Sequence, residues 1–171
     1  MPRFFLNMGI CIVLSLVVTA CGYRFSGSGE LPENVEKLNI SVFENRTNEN
    51  GLETRIANDL IYQFMRFDRL RLTDKATADA FLTGTIKSVE SVTISHESVN
   101  TSTERRIQVT IAIKLTSSAG NLLWSDNAIS AHETYEVSSE KTNSDKNKKS
   151  ALAILSSRVA ERIYYRLTDN F

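Results

Sequence analysis

Cysteine and histidine are almost missing from this chain. Two cysteines in 171 residues, Cys11 and Cys21, cannot supply a disulfide framework. Two histidines, His96 and His132, have no second His or Cys at a metal-ligand spacing, so no metal site is expected. Each falls among polar residues of a strand-like pattern, which reads as a solvated face. Net charge is also lacking, with 20 Lys and Arg against 20 Asp and Glu. A balanced chain has no global field to attract nucleic acid, so anion recognition has to be local. Neither a glycine loop that cradles phosphate nor a serine-centred elbow occurs. The acids Asp74, Asp79 and Glu90 are scattered rather than paired. Catalysis is therefore not expected, and no cofactor is implied.

No apolar run is long enough to span a bilayer, which takes about 20 residues. The longest, Phe4 to Val18, follows a short positive start at Arg3 and ends in Val18-Thr19-Ala20-Cys21. That anatomy is a secretory signal, and the small residues before cysteine resemble the bacterial lipobox. The resemblance implies cleavage before Cys21, a diacylglycerol thioether on its sulfur and a third acyl chain, such as palmitate, on its new amine. At about 0.8 kcal/mol per buried methylene, three chains hold firmly. Gly22 stands where Asp favours inner-membrane retention in many such lipoproteins, so the outer membrane, on its periplasmic side, is the expected address. Residues 1–20 are thus read as a cleaved signal and 21–171 as one domain. With Cys11 removed and Cys21 acylated, stability must come from an ordinary core. A chain of this length buries roughly 68–70% of its unfolded surface.

Leu38, Ile40 and Val42 alternate with polar residues and predict a short strand. After a polar loop over 45–50, Leu52, Ile56, Leu60 and Phe64 recur every fourth residue. Ala57 and Ile61 widen this stripe into an amphipathic helix. Asn50 is its expected cap, with Glu53 as the reciprocal partner. Leu70-Arg71-Leu72 reads as another short strand. A longer one opens at Ala80, Leu82, Gly84 and Ile86, then slips at Val89, which predicts a bulge or bend near Lys87 and Ser88. Ile107, Val109, Ile111, Ile113 and Leu115 alternate without a fault, the mark of an antiparallel strand covered on one face. Ala119-Gly120-Asn121 is a hairpin signal, returning the chain through Trp124 towards Tyr135. Ser138 to Ser150 is polar and reads as a mobile loop. A last helix carries Leu152, Leu155, Val159, Ile163 and Leu167. The expected fold is α+β in two layers: two amphipathic helices on one face of a mostly antiparallel sheet of about four strands.

What remains for function is surface. Arg105 and Arg106 open the clearest strand, and Lys141, Lys146, Lys148 and Lys149 crowd the polar stretch before the last helix. Such cations can clamp phosphates or sugar acids, although charge runs are more often simply solvated. Tyr62, Tyr135, Tyr164 and Tyr165 are candidate partner contacts, because tyrosine is enriched at interfaces.

Several stretches, taken in order, resemble the LptE family of lipopolysaccharide-assembly lipoproteins. Cys21-Gly22-Tyr23-Arg24-Phe25-Ser26-Gly27 follows the lipobox. Val42-Phe43-Glu44-Asn45-Arg46-Thr47 precedes Gly51-Leu52-Glu53. Ala78-Asp79-Ala80 comes before Leu82-Thr83-Gly84-Thr85-Ile86, Leu123-Trp124 follows the hairpin, and Ala151-Leu152 opens the apolar part of the last helix. The resemblance implies a subunit that plugs the lumen of the outer-membrane β-barrel LptD, assists its assembly and contacts lipopolysaccharide. In that family, basic residues near the tip of the central strands and before the last helix meet the glycolipid. The matching positions here are Arg105 or Arg106, and Lys141. A different reading of the same chain is an outer-membrane-anchored periplasmic lipid carrier, which needs a deep apolar pocket.

Overall fold

The computed structural model describes residue 31 and residues 35–67, 71–95 and 103–169. The signal segment, Cys21 and its neighbours, Leu70 and His96 lie outside the described residues. The elements run β1 (Lys37–Ile40), β2 (Glu44–Asn45), α1 (Leu52–Phe67), β3 (Arg71–Leu72), β4 (Ala80–Ser95), β5 (Thr103–Ser117), β6 (Leu122–Val137) and α2 (Lys141–Thr168).

The class is α+β, as expected, but the sheet is six-stranded and mixed rather than mostly antiparallel with about four strands. Its order is β3-β1-β4-β5-β6, with β2 beside β4. Only the β4–β5–β6 meander is antiparallel; β1 pairs in parallel with both β3 and β4, and β2 with β4. The reason is α1, which carries the chain back between β2 and β3 so that it re-enters the sheet in its original direction. Strands of two residues are also too short to show any alternation in the sequence.

One face of this sheet carries the core. Ile107, Val109, Ile111, Ile113 and Leu115 are completely buried, as the faultless alternation predicts. Each such side chain contributes roughly 1.5–3 kcal/mol on burial. They meet Leu52, Ile56, Leu60 and Phe64 of α1 and Leu155, Val159, Ile163 and Leu167 of α2 in one cluster. The two helices run side by side in the same direction. Asp59 accepts from Ser156 Oγ at 2.5 Å, and further along both helices the Phe64 and Tyr164 rings meet edge to face at 5.2 Å.

The predicted irregularity in β4 is real. The register with β5 shifts between Ile86 and Ser88, leaving Lys87 as the extra residue. Past this bulge the inward parity changes from even to odd, which is why Val89 sits opposite the buried Val109. Gly84 has a separate role. A Cβ there would stand 2.8 Å and 2.9 Å from two ring carbons of Phe43, so the missing side chain is the space that Phe43 occupies. Between β5 and β6, Gly120 takes a φ of +85°, and its N–H donates to Ser117 O at 2.9 Å. This is the three-residue hairpin with glycine in the left-handed position.

Two local expectations are corrected. Gly51, not Asn50, starts α1: it has a φ of +84°, and its carbonyl accepts from Arg55 N–H at 3.1 Å. Glu53 still reaches back, accepting from Gly51 N–H at 3.2 Å and from Asn45 Nδ2 at 2.7 Å. The polar stretch read as a mobile loop is helical from Lys141 onward, so α2 has 28 residues. Hydrogen bonds rather than apolar burial dock its first turns. Ser144 Oγ donates to Ser138 O at 2.8 Å, Asn147 Nδ2 donates to Glu136 O at 3.0 Å, and Lys148 pairs with Glu49.

Candidate functional site

Residues 103–106 of β5 pair with residues 134–137 of β6, and β6 leads into α2 only three residues later. This topology brings the candidate cations Arg105, Arg106 and Lys141 to one end of the sheet, and all three are exposed. They do not share a face. Arg105 pairs with Thr93 and Tyr135, on the side where the helices lie. Arg106 pairs with Val92 and Thr134, on the open side. Consecutive residues of a strand must diverge in this way, so a compact anion cannot be clamped by both arginines as a fork. Glu104, Glu136 and Glu140 are exposed at the same end, which keeps the local field mixed in sign.

The lysine cluster is likewise divided. Lys146, Lys148 and Lys149 line one surface depression with Glu49, Thr142, Asp145 and Leu152, and Lys141 is not among its walls. Glu49 is already neutralising Lys148 there. Another depression, along α1, is lined by Gly51, Thr54, Arg55, Asn58 and Asp59. Both are lined mainly by polar side chains, and both apolar helix stripes are used in covering the sheet. That arrangement supplies no support for a lipid-carrying pocket.

Of the tyrosines singled out as partner contacts, two are not available. Tyr135 is buried, with its hydroxyl 3.2 Å from Ser91 Oγ, and Tyr164 is buried against Phe64. Tyr62 and Tyr165 are exposed, at 61% and 46%. His132 is exposed on β6, and its backbone carbonyl accepts from Arg158 at 3.2 Å. Asp79 serves structure, accepting from Lys37 N–H at 2.9 Å through its carboxylate.

The open face of the sheet is the larger surface. Thr83, Ser88, Glu90, Gln108, Thr110, Lys114, Ser125, Ser130, His132 and Thr134 belong to it by register, so it is rich in hydroxyls and sparing in charge. Arg158, Arg162 and Arg166, four residues apart on α2, lace that helix to β6. Arg158 lies 2.5 Å from Glu133 and also donates to His132 O; Arg162 donates to Ser130 O, and Arg166 pairs with Asp126. Burial pushes the Asp126 carboxyl up, but the Ala128 N–H and the Arg166 guanidinium outweigh it, so its pKa lies below the usual value. Sequence reading missed this lacing, although three arginines at four-residue spacing were its signal.

The LptE family of lipopolysaccharide-assembly proteins matches residues 35–167, most of the chain and nearly the whole of the described domain. The chain belongs to the LptE family. Solved structures agree on the fold. Rare lipoprotein B from Shewanella oneidensis superposes with a TM-score of 0.53 at 12% identity, covering 78% of this chain and 95% of that one. Lipoprotein B from Nitrosomonas europaea gives 0.51 at 15% identity, covering 86% and 90%. No curated protein matches the sequence. At such low identity the structural likeness speaks for the fold alone, and family membership rests on the LptE match. That membership connects the mixed sheet and its two helices to lipopolysaccharide assembly.

Proposed function

We propose that this chain is a non-catalytic lipoprotein subunit of the lipopolysaccharide export machinery, acting as plug and assembly partner of the LptD β-barrel. The observation that carries the reading is the LptE match across residues 35–167. Residues 1–20 are a cleaved signal, and acyl chains on Cys21 hold residues 21–171 at the periplasmic side of the outer membrane. A polar, hydroxyl-rich sheet face suits the polar interior of an outer-membrane barrel, where an apolar surface would find no partner. Lipopolysaccharide contact falls to Arg105, Arg106 and Lys141. Since the two arginines diverge, they would meet separate anionic groups on an extended glycolipid rather than one phosphate together.

The test is affinity purification of the tagged, lipidated chain from gently solubilised outer membranes, with co-purifying proteins identified by mass. A large β-barrel in stoichiometric amount, surviving high salt, is the expected result. Recovery of the lipoprotein alone, with the barrel present in the extract, would overturn the reading. Charge reversal at Arg105, Arg106 and Lys141, one at a time, should weaken lipopolysaccharide capture while leaving the barrel bound.

A further inference from the structure

The two long edges of the meander are treated unequally. On the β6 side, the outward carbonyls of Ser130, His132 and Glu136 each accept from α2, through Arg162, Arg158 and Asn147. A strand approaching that edge would have to displace three side chains. On the β4 side, the chain uses its own short strands only as far as Ile86. Ser41 N–H donates to Leu82 O at 3.2 Å and Arg46 N–H to Ile86 O at 3.1 Å. Among the described residues, no strand pairs with β4 beyond that point on this side.

The open stretch is short and regular. Bulges bound it at Lys87 and between Thr93 and Ser95, so Ser88 to Thr93 keep one continuous register with β5. Carrying the alternation past the first bulge turns the backbone N–H and C=O groups of Val89, Ser91 and Thr93 to the open side. Glu90 to Thr93 are exposed, Ser88 and Val89 are half-buried, and the side chains are mostly β-branched or small. Val92 is 54% exposed, and Glu90 is the single charge of the six.

We infer that Ser88–Thr93 of β4 is a strand-addition site, taking an extended segment of the partner barrel. The inference rests on the plug reading for the identity of that partner. Backbone pairing would supply affinity, and the alternate side chains specificity. The occupant should place an apolar residue beside Val92 and a polar or basic one beside Glu90. A second copy of this chain fits less well. Six residues of edge bury far less than the ~1,600 Å² of a stable interface. A segment of a partner already held by other contacts needs no such area, because its effective concentration is high.

Photo-crosslinking residues placed singly at Glu90 and Val92 of the full lipidated chain, in native membranes, test this. Both should capture the same barrel segment, at positions two residues apart, as strands in register require. Thr93→Pro, at an exposed position, removes one edge donor without touching the β4–β5 ladder, and should lower capture about tenfold at an unchanged melting temperature. Should that variant melt early, Val92→Lys, at an exposed position, should lower capture from Glu90 instead. Co-purification of the barrel with no capture, scattered capture or variant-insensitive capture overturns strand addition and leaves the plug reading standing. Capture of a second copy of this chain overturns it too. Absence of the barrel from the purified complex overturns both.

Discussion

Gly84→Ala is the substitution whose cost the structure defines most closely. The added methyl would lie 2.7 Å from Ile113 Cδ1 and 2.8 Å and 2.9 Å from Phe43 Cδ2 and Cε2. Each contact is well inside the usual 3.5–4.0 Å between carbon atoms. Ile113 is completely buried and Phe43 is 3% exposed, so neither can swing into solvent. Relief needs the Phe43 ring to shift by most of an ångström, and with it the segment between β1 and β2. Overpacking of this kind costs about 1–3 kcal/mol. Alanine also restricts the unfolded chain, which returns about 0.4–1 kcal/mol. The net expectation is a loss of about 1–2 kcal/mol, and a lowering of Tm by roughly 2–8 °C for a domain of this size. Thermal unfolding followed by circular dichroism would measure it. The clash also predicts coupling: Phe43→Leu, destabilising alone, should cost less in the Gly84→Ala background. A Gly84→Ala protein that melts at or above the parent temperature, or strict additivity in the cycle, would refute the account of Gly84 as the space for Phe43.

Acid should destabilise the fold through three carboxylates. Hydrogen bonds from Arg46 and then Thr85 hold Glu44 below its ordinary 4.5, and backbone N–H groups with Asn45 do the same for Glu53. Asp126 lies below 3.8 for the reasons already given. Depressed folded values mean stability that is complete above the ordinary pKa and is lost as pH falls through the folded one. Melting temperature should therefore decline below about pH 4.5, and Glu53→Gln should flatten that decline. Replacing Arg158 and Arg162 together by Ala should cost about 1 kcal/mol or less, since both are half-exposed, yet it uncovers the carbonyls of β6. Concentration-dependent association in sedimentation experiments should appear in that variant and not in the parent.

Much of this architecture is legible in the residues because burial follows period. The odd residues from Ile107 to Leu115 announce a covered strand, and Leu52, Ile56, Leu60 and Phe64 a covered helix face. The break of parity between Ile86 and Val89 locates a bulge to within a residue. Where apolar burial does not decide the structure, the pattern is silent. The first ten residues of α2 bury almost no apolar surface, and Ser144, Asn147 and Lys148 instead reach polar partners outside the helix. Pairing direction at β1 and β3 depends on where α1 returns the chain, which no local window contains. The candidate site was legible only as residue types. That Arg105 and Arg106 diverge follows from strand geometry alone, but that Lys141 shares their end of the sheet needed the path of β6.

The length of the meander has its own meaning. Strands β4, β5 and β6 hold 16, 15 and 16 residues, so each reaches about 50 Å at ~3.3 Å per residue. The oily interior of a bilayer is only about 30 Å thick. The meander is thus longer than that barrier is thick. Enclosed by a channel wall, strands of that length would reach water at both ends.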